Sequence, residues 1–211
     1  MYIPEHFRET RIEVLQPFIE RHPLATLVAL TDAGFTANLI PLQAQLRAET
    51  GGRLQGHIAR ANSLWRELRE GASVLAIFTG AEHYISPSWY PSKKEHGKAV
   101  PTWNYATVHV HGSIRFIDDK TWLRNFVASL TDQFEQGRVN RWHIEDAPAD
   151  YLEGMLRAIV GFEIDISRIE GKFKGSQNRS TSDRAGARDA LSAEGVATAD
   201  IVELAPESDR K

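Results

Sequence analysis

The chain has 211 residues, 42% of them hydrophobic, a formal net charge of −3 at pH 7 and no cysteine. This supplies a core for one domain of ordinary size with appendages, and it argues against a broad electrostatic footprint for nucleic acid. Disulfides, thiolate metal sites and Cys nucleophiles are excluded; "MYIPEHFRET" has no signal-peptide pattern and no apolar run reaches a membrane span, so a soluble, cytoplasmic protein is expected.

Thr10 to Arg21 reads as a helix, with Thr10 and Glu13 at capping-box spacing and Ile12, Leu15 and Ile19 as its apolar stripe; Pro17 should kink or shorten it. "HPLATLVAL" and "FTANLIPL" flank the turn "TDAG" as a hairpin, and "QAQLRAE" and "RLQGHIA" flank Gly51-Gly52 as another. Asn62 can cap the short helix "SLWRELRE", closed by Gly71. "SVLAIFTG" is a buried strand and "ATVHVHGSIRFI" a long alternating one. In "DKTWLRNFVASLTDQFEQG", Trp122, Phe126, Leu130 and Phe134 recur every four residues and should share a helix face. Pro148 opens "ADYLEGMLRAI" at the favoured first-turn position, "VGFEIDISRIEGKFKG" is a last strand, and "STSDRAGARDALSAEG" is a capped helix before a loose polar tail. Strands joined by hairpins, not alternating with helices, predict a mainly β protein with helices, a β-barrel with helical decoration.

Four stretches carry chemistry. "YISPSWYPSKKEHGKAVPTWNY", Tyr84 to Tyr105, holds two of the five Trp and three of the five Tyr, stiffened by Pro87, Pro91 and Pro101. Its flat rings suit a planar aromatic ligand, or else fill a dimer interface, and Asn104 can read a heterocycle edge. "GHIARAN", Gly56 to Asn62, ends a strand and opens a helix, where backbone N–H groups favour a phosphate; His57, Arg60 and Asn62 lie there. "KFKGSQNRS" gathers Lys172, Lys174 and Arg179 with Ser176, Gln177 and Asn178, either a phosphate-neutralising cluster or a polar linker. His109 and His111 share one side of a strand, but surface histidines are the commoner meaning, and no metal is assigned. Ser86 and Ser88 lack a nucleophile-elbow context, and there is no P-loop or Rossmann glycine pattern.

"MYIPEHF", "GHIARAN" with Trp65, the long aromatic segment, "VHVHG", "MLRAIVGFEI" and "GKFKGSQNR" occur in an order that resembles the PaiB-type family of FMN-binding negative transcriptional regulators, up to about Arg184. Two positions depart from that pattern: Gly175 stands where an apolar residue is expected and Ser180 where proline is. The resemblance implies an FMN-binding split β-barrel over residues 1–184, followed by a C-terminal helix and polar tail over 185–211, and a homodimer with flavin at the subunit interface. The flavin-contacting set it suggests is Asn38, His57, Ile58, Ala59, Arg60, Ala61, Asn62, Ser86, Trp89, Trp103, Asn104, Tyr105, Lys174, Gln177 and Arg179. Transcriptional regulation is the function implied. A flavin-dependent oxidoreductase is the alternative, and a haem-binding split barrel stands behind it. Direct DNA binding is not supported by the overall charge, although Lys93, Lys94 and Lys98 make a small basic patch.

Overall fold

The computed structural model describes residues 1–48 and 51–196; the expected polar tail beyond 196 lies outside these. Among the described residues eight strands form: β1 Arg8–Glu9, β2 Leu24–Thr31, β3 Gly34–Pro41, β4 Gln43–Arg47, β5 Gly51–Ala59, β6 Ala72–Ile85, β7 Thr102–Ile117 and β8 Ile159–Lys174. Their order is β3-β2-β6-β7-β8-β5-β4, with β1 added to β8. This is the mainly antiparallel, split-barrel arrangement with helices that the hairpin pattern predicts, open between β3 and β4. Contacts divide the chain into a first unit, Met1–Phe18, Phe78–His109 and the segment from Glu170, and a second, Ile19–Ile77 and Val110–Ile169.

In the second unit, β2 and β3 pair so that Leu30 faces Phe35, Val28 faces Ala37 and Thr26 faces Leu39, while β6 sets Leu75 opposite Val28. Alternation then sends Ala25, Leu27 and Ala29 to the core and leaves the other face bare: Leu30, Phe35 and Leu39 are 61%, 83% and 68% exposed. β5 runs antiparallel to β8, with Gly56 opposite Phe162 and His57 opposite Gly161. Glu163 is buried on β8 and accepts from Gln55 Nε2 at 2.7 Å, Arg53 Nη1 at 3.1 Å and Arg115. α4, Lys120–Glu135, begins at Asp119, whose carboxylate accepts from Trp122 N at 2.7 Å. Its buried side is Leu123 and Phe126, of which Leu123 packs with Ile144 and with Leu152 and Leu156 of α5, Ala149–Arg157. The four-residue stripe therefore departs from expectation at its end, where Phe134 is exposed, because steps of four drift off a 3.6-residue turn. Pro148 sits one residue earlier than predicted, as the N-cap of α5.

In the first unit, α1, Ile12–Arg21, begins where the Glu9 carboxylate accepts from Thr10 N at 2.9 Å and Arg11 N at 2.8 Å and also holds the Arg11 guanidinium. Pro17 stays inside α1 without ending it, next to the buried Phe18, whose ring lies 5.1 Å from that of Phe173. The aromatic segment is less of a loop than its prolines suggest. β6 extends to Ile85 and β7 begins at Thr102; between them stand a 3-10 turn, Pro87–Trp89, and α3, Pro91–His96, with Pro91 at its first turn and Gly97 as a left-handed cap.

That segment is covered by α6, Thr181–Ala193, which Ser180 caps by accepting from Asp183 N at 3.2 Å. Ile85, Tyr90, Ala187 and Leu191 form one buried cluster with Trp89 packed against it. Asp183 is buried and accepts from Ser92 N at 3.0 Å and Ser92 Oγ at 2.7 Å. Burial pushes its carboxyl up, but the bonds from Ser92 and Ser180 and the nearby Arg179 charge outweigh this and hold it below the usual carboxylate range. Gly186 allows the closest approach: a Cβ there would lie 2.2 Å from Trp89 O.

Gly186→Ala should lower stability by about 1–3 kcal/mol, despite the better helix propensity of Ala, because backbone must move; thermal unfolding by circular dichroism measures it. Asp183 also sets a pH dependence. Its folded-state pKa is depressed, so its contribution is complete above the unfolded value of about 3.9 and is lost as pH falls through the folded value. The Tm gap between the natural chain and Asp183→Asn should be widest near neutrality and should close below about pH 4.

Candidate functional site

At the end of β5, in the second unit, the residues singled out in the sequence do come together, but largely on one another. Ile58 is buried in the core, and Ala59 and Ala61 are exposed. Arg60 N donates to Ala158 O at 2.7 Å and Asn62 N to Ala59 O at 2.9 Å. The Arg60 guanidinium grips both oxygens of Asp118, at 2.5 and 2.9 Å, and donates to Arg157 O at 2.8 Å and Ile159 O at 3.0 Å. This fork raises the Arg60 pKa and lowers that of Asp118, each chiefly through their mutual hydrogen bonds. Four of the five N–H groups of Arg60 are thereby used inside the protein, which leaves little for the phosphate contact expected of it.

Asn62 Nδ2 donates to Asn38 Oδ1 at 2.9 Å, and its own carbonyl accepts from Leu64 N at 3.0 Å, so Asn62 braces the start of α2, Leu64–Glu67, from one residue before the Ser63 cap. Trp65 Nε1 donates to Arg60 O at 3.0 Å, and the Arg60 and Arg66 guanidinium groups lie 5.7 and 5.2 Å from its ring centroid. His57 meets Phe126 edge-on at 5.9 Å, and Phe126 stacks on Trp122 at 5.1 Å; Trp122 in turn lies on Gly161, where a Cβ would come within 2.2 Å of the ring. Burial lowers the His57 pKa, keeping the imidazole neutral near pH 7, and its buried Nδ1 has no protein partner.

The first unit gathers the remaining residues. Ser86 caps the 3-10 turn, accepting from Ser88 N at 3.2 Å, and Trp89 belongs to the α6 contact. Trp103 is 52% exposed, with Tyr84 edge-on at 6.0 Å, and offers an open aromatic face. Asn104, expected to read a ring edge, is 0% exposed and exchanges hydrogen bonds with Ser176 Oγ at 3.0 and 3.2 Å. Ser176 is itself buried at φ +67°, the left-handed region, so Asn104 holds a strained turn. Gln177 braces the same turn: its Oε1 accepts from Gly175 N at 2.7 Å and its Nε2 donates to Phe173 O at 2.5 Å.

Around the turn stand three cations. Lys174 donates to Thr102 Oγ1 and to Trp103 O at 2.6 Å, with Phe7 at 6.0 Å. Lys172 donates to Tyr2 O at 3.1 Å and lies 5.2 Å from the Tyr105 ring; Arg179 lies 4.9 Å from the Tyr90 ring. Burial first, then the Lys172 and Arg179 charges, lower the Lys174 pKa. Sequence reasoning missed Asp118, whose claim on Arg60 spans 58 positions, and it missed the Ser176 bond to Asn104 across 72. Neither pairing has a local signal. His111, weighed as a metal ligand, uses Nε2 to accept from Arg168 Nη2 at 3.1 Å, which places its ring proton on Nδ1.

Comparison with known proteins agrees with this framework. Over 183 residues the chain is 32% identical to the Protease synthase and sporulation protein PAI 2 of Bacillus subtilis, covering 87% of this chain and 85% of that protein. It is 35% identical over 157 residues to an uncharacterised protein of Saccharomyces cerevisiae, covering 65% and 92%. In fold it resembles the FAD and heme binding protein from Mycobacterium smegmatis, with a TM-score of 0.58 at 18% identity over 85% of this chain and 79% of that one. It also resembles the flavocytochrome Anf3 from Azotobacter vinelandii, at 0.57 and 14% over 81% and 72%. Residues 1–168 match the family described as "Putative FMN-binding domain". The chain belongs to that family, and FMN is its cofactor.

Proposed function

We propose that this chain is an FMN-binding transcriptional regulator of the PaiB type, acting in the cytoplasm as a homodimer. The observation that carries the reading is its likeness to PAI 2 along most of both chains. Among the described residues no helix is long and apolar enough to cross a membrane, which agrees with this setting.

The residues present fit FMN in kind. The buried Nδ1 of His57 lacks a protein partner, the exposed Trp103 indole offers a stacking face, and the cations around Ser176 suit an anionic tail. When bound, FMN supplies redox chemistry. The candidate residues toward it fall in each unit by itself: His57 and Asn62 with Asn38 at the β5 end in the second unit, and Trp103, Tyr105, Lys174 and Arg179 in the first. Asn104 and Gln177 hold the turn at Ser176 beside Lys174 and Arg179, while Ser86 and Trp89 belong to the stretch that α6 covers.

Homodimerisation is supported by the bare face of β2 and β3. Leu30, Phe35 and Leu39 form an apolar row with Val28 and Leu75 beside them, the kind of patch a single chain leaves exposed only when something covers it. Contact with DNA, if direct, falls to α3, where Lys93, Lys94 and His96 are exposed beside Lys98. α4 and α5 are no helix-turn-helix, since the stretch between Glu135 and Ala149 far exceeds its short turn.

The purified protein should show flavin absorption bands. Trp103→Leu should brighten flavin emission and weaken FMN roughly twofold to tenfold without unfolding the chain; unchanged emission and affinity would make Trp103 structural. Regulation by direct DNA contact requires a gel shift that weakens steeply as salt rises, and one insensitive to salt and to Lys93→Gln with Lys94→Gln counts against it. Light scattering at micromolar concentration should show a dimer. Burying Phe35 contributes about 1.5–3 kcal/mol, counted twice by two-fold symmetry, so Phe35→Asp should raise the dimer Kd more than about a hundredfold. A monomeric natural chain would overturn the assembly.

A further inference from the structure

We propose that the cleft at the start of β5 binds a small zwitterion of the free amino acid class, with Arg47 taking its carboxylate and Asp165 its ammonium group. The cleft lies within the second unit and has a volume of about 400 Å³, lined by Gln45, Arg47, Gly52, Arg53, Asp165 and Ile166. That volume falls in the range of small-molecule sites. None of the six belongs to the residues taken above for flavin.

Strand pairing builds the cleft. Gln45 of β4 stands opposite Arg53 of β5, and Arg53 opposite Asp165 of β8, so their side chains form one row across the sheet. Arg47, two residues on from Gln45, shares that face but stands opposite Gly51. Gly51 and Gly52 hold φ at +73° and +92°, and a Cβ on them would lie 2.7 Å from Ile166 O and 2.0 Å from Gln45 O. These two positions therefore admit no side chain, and the row is left open beside Arg47.

The polar groups are set in place before a ligand arrives. Arg53 is fixed from behind, because its Nη1 donates at 3.1 Å to Glu163, which is buried and held also by Gln55 and Arg115. Its Nε donates to Asp165 Oδ1 at 3.2 Å, which orients that carboxylate. Among the described residues the other oxygen, Oδ2, accepts no hydrogen bond. Arg47 is exposed, and among the described residues its guanidinium makes no ion pair or hydrogen bond. A cation and a carboxylate oxygen, each with bonding capacity left, thus border one cleft. A planar guanidinium fork matches a carboxylate in two parallel bonds, and an ammonium group is a strong, charge-assisted donor to a carboxylate oxygen. A simple anion would meet the Asp165 charge, and a simple amine the Arg47 and Arg53 charges, so a molecule that carries both signs fits better than either. Gln45 can donate to or accept from its polar remainder.

The test titrates the full chain by calorimetry with each of the twenty free amino acids, and with acetate and methylammonium as carriers of one charge. At least one amino acid should bind, roughly tenfold more tightly than either control. Arg47→Gln should weaken that amino acid roughly tenfold to a hundredfold, with Arg47→Lys restoring part of the loss. Asp165→Asn should shrink the preference for the amino acid over its deaminated counterpart, which a merely structural Asp165 would not do. FMN affinity should stay unchanged in these variants, so the result is read apart from the flavin reading. Far-ultraviolet circular dichroism checks folding. If Asp165→Asn does not fold, the amino acid and its deaminated counterpart are compared on the natural chain instead. No binding across the panel, equal binding of the amino acid and its deaminated counterpart, or binding indifferent to Arg47→Gln overturns the proposal. Variants that weaken FMN assign the cleft to the cofactor and overturn it as well.

Discussion

The register of β8 is the constraint on which the other features depend. This strand is paired with β5 and β7, and at its far end with β1, where Lys172 stands opposite Arg8. Side chains alternate faces, so a slip of one residue would drive Lys172 and Lys174 inward and Phe173 out. Several fits forbid that slip at once. Gly56 leaves room for Phe162, Gly161 for the Trp122 ring, and Gly112 for Asp165 O, where an added Cβ would sit 2.4 Å away. The buried Glu163 reinforces them, because only this register aims it at Arg53, Gln55 and Arg115.

Cationic chemistry is divided unequally along the chain. Arg60 looks like an anion ligand in the sequence, but it serves as a clamp that ties the end of β5 to Asp118 and to the carbonyls at the start of β8. An arginine so engaged loses affinity for a further anion, because a new bond must displace an existing charge-assisted one. Lys172, Lys174 and Arg179 have no such two-oxygen grip: they rest on ring faces, with the Asp183 charge acting on Arg179. Formal charge in a sequence therefore says less about binding than whether the fold has already supplied the counter-charge.

Much of the fold was legible because its signals are local. "TDAG" marked the β2–β3 hairpin, alternation marked β7 and β8, and Ser180 marked the start of α6. The aromatic segment was harder to read. Its prolines correctly exclude a long element, but they are compatible with a 3-10 turn and a six-residue helix that begins at Pro91. The candidate residues lie in two neighbourhoods, one in each unit, and their hydrogen-bond partners come from far along the chain. Whether Asn104 faces a ligand or Ser176 depends on a partner 72 positions away, and no periodicity carries that information. The same holds for Asp183, an ordinary first-turn carboxylate by sequence and a buried acceptor in the fold.

The distance between α6 and the segment it covers has a consequence for synthesis. Ser92 waits for Asp183 across 91 positions of chain. At about 5–20 residues per second, a ribosome leaves Ile85 and Tyr90 without their cover for roughly 5–20 s. Over that interval the nascent chain displays an apolar, ring-rich stretch beside the unfinished edge of β6, which is where a holding chaperone would bind and where premature termination would be most harmful. Once α6 emerges it closes the window of aggregation that opened with Ile85 and Tyr90.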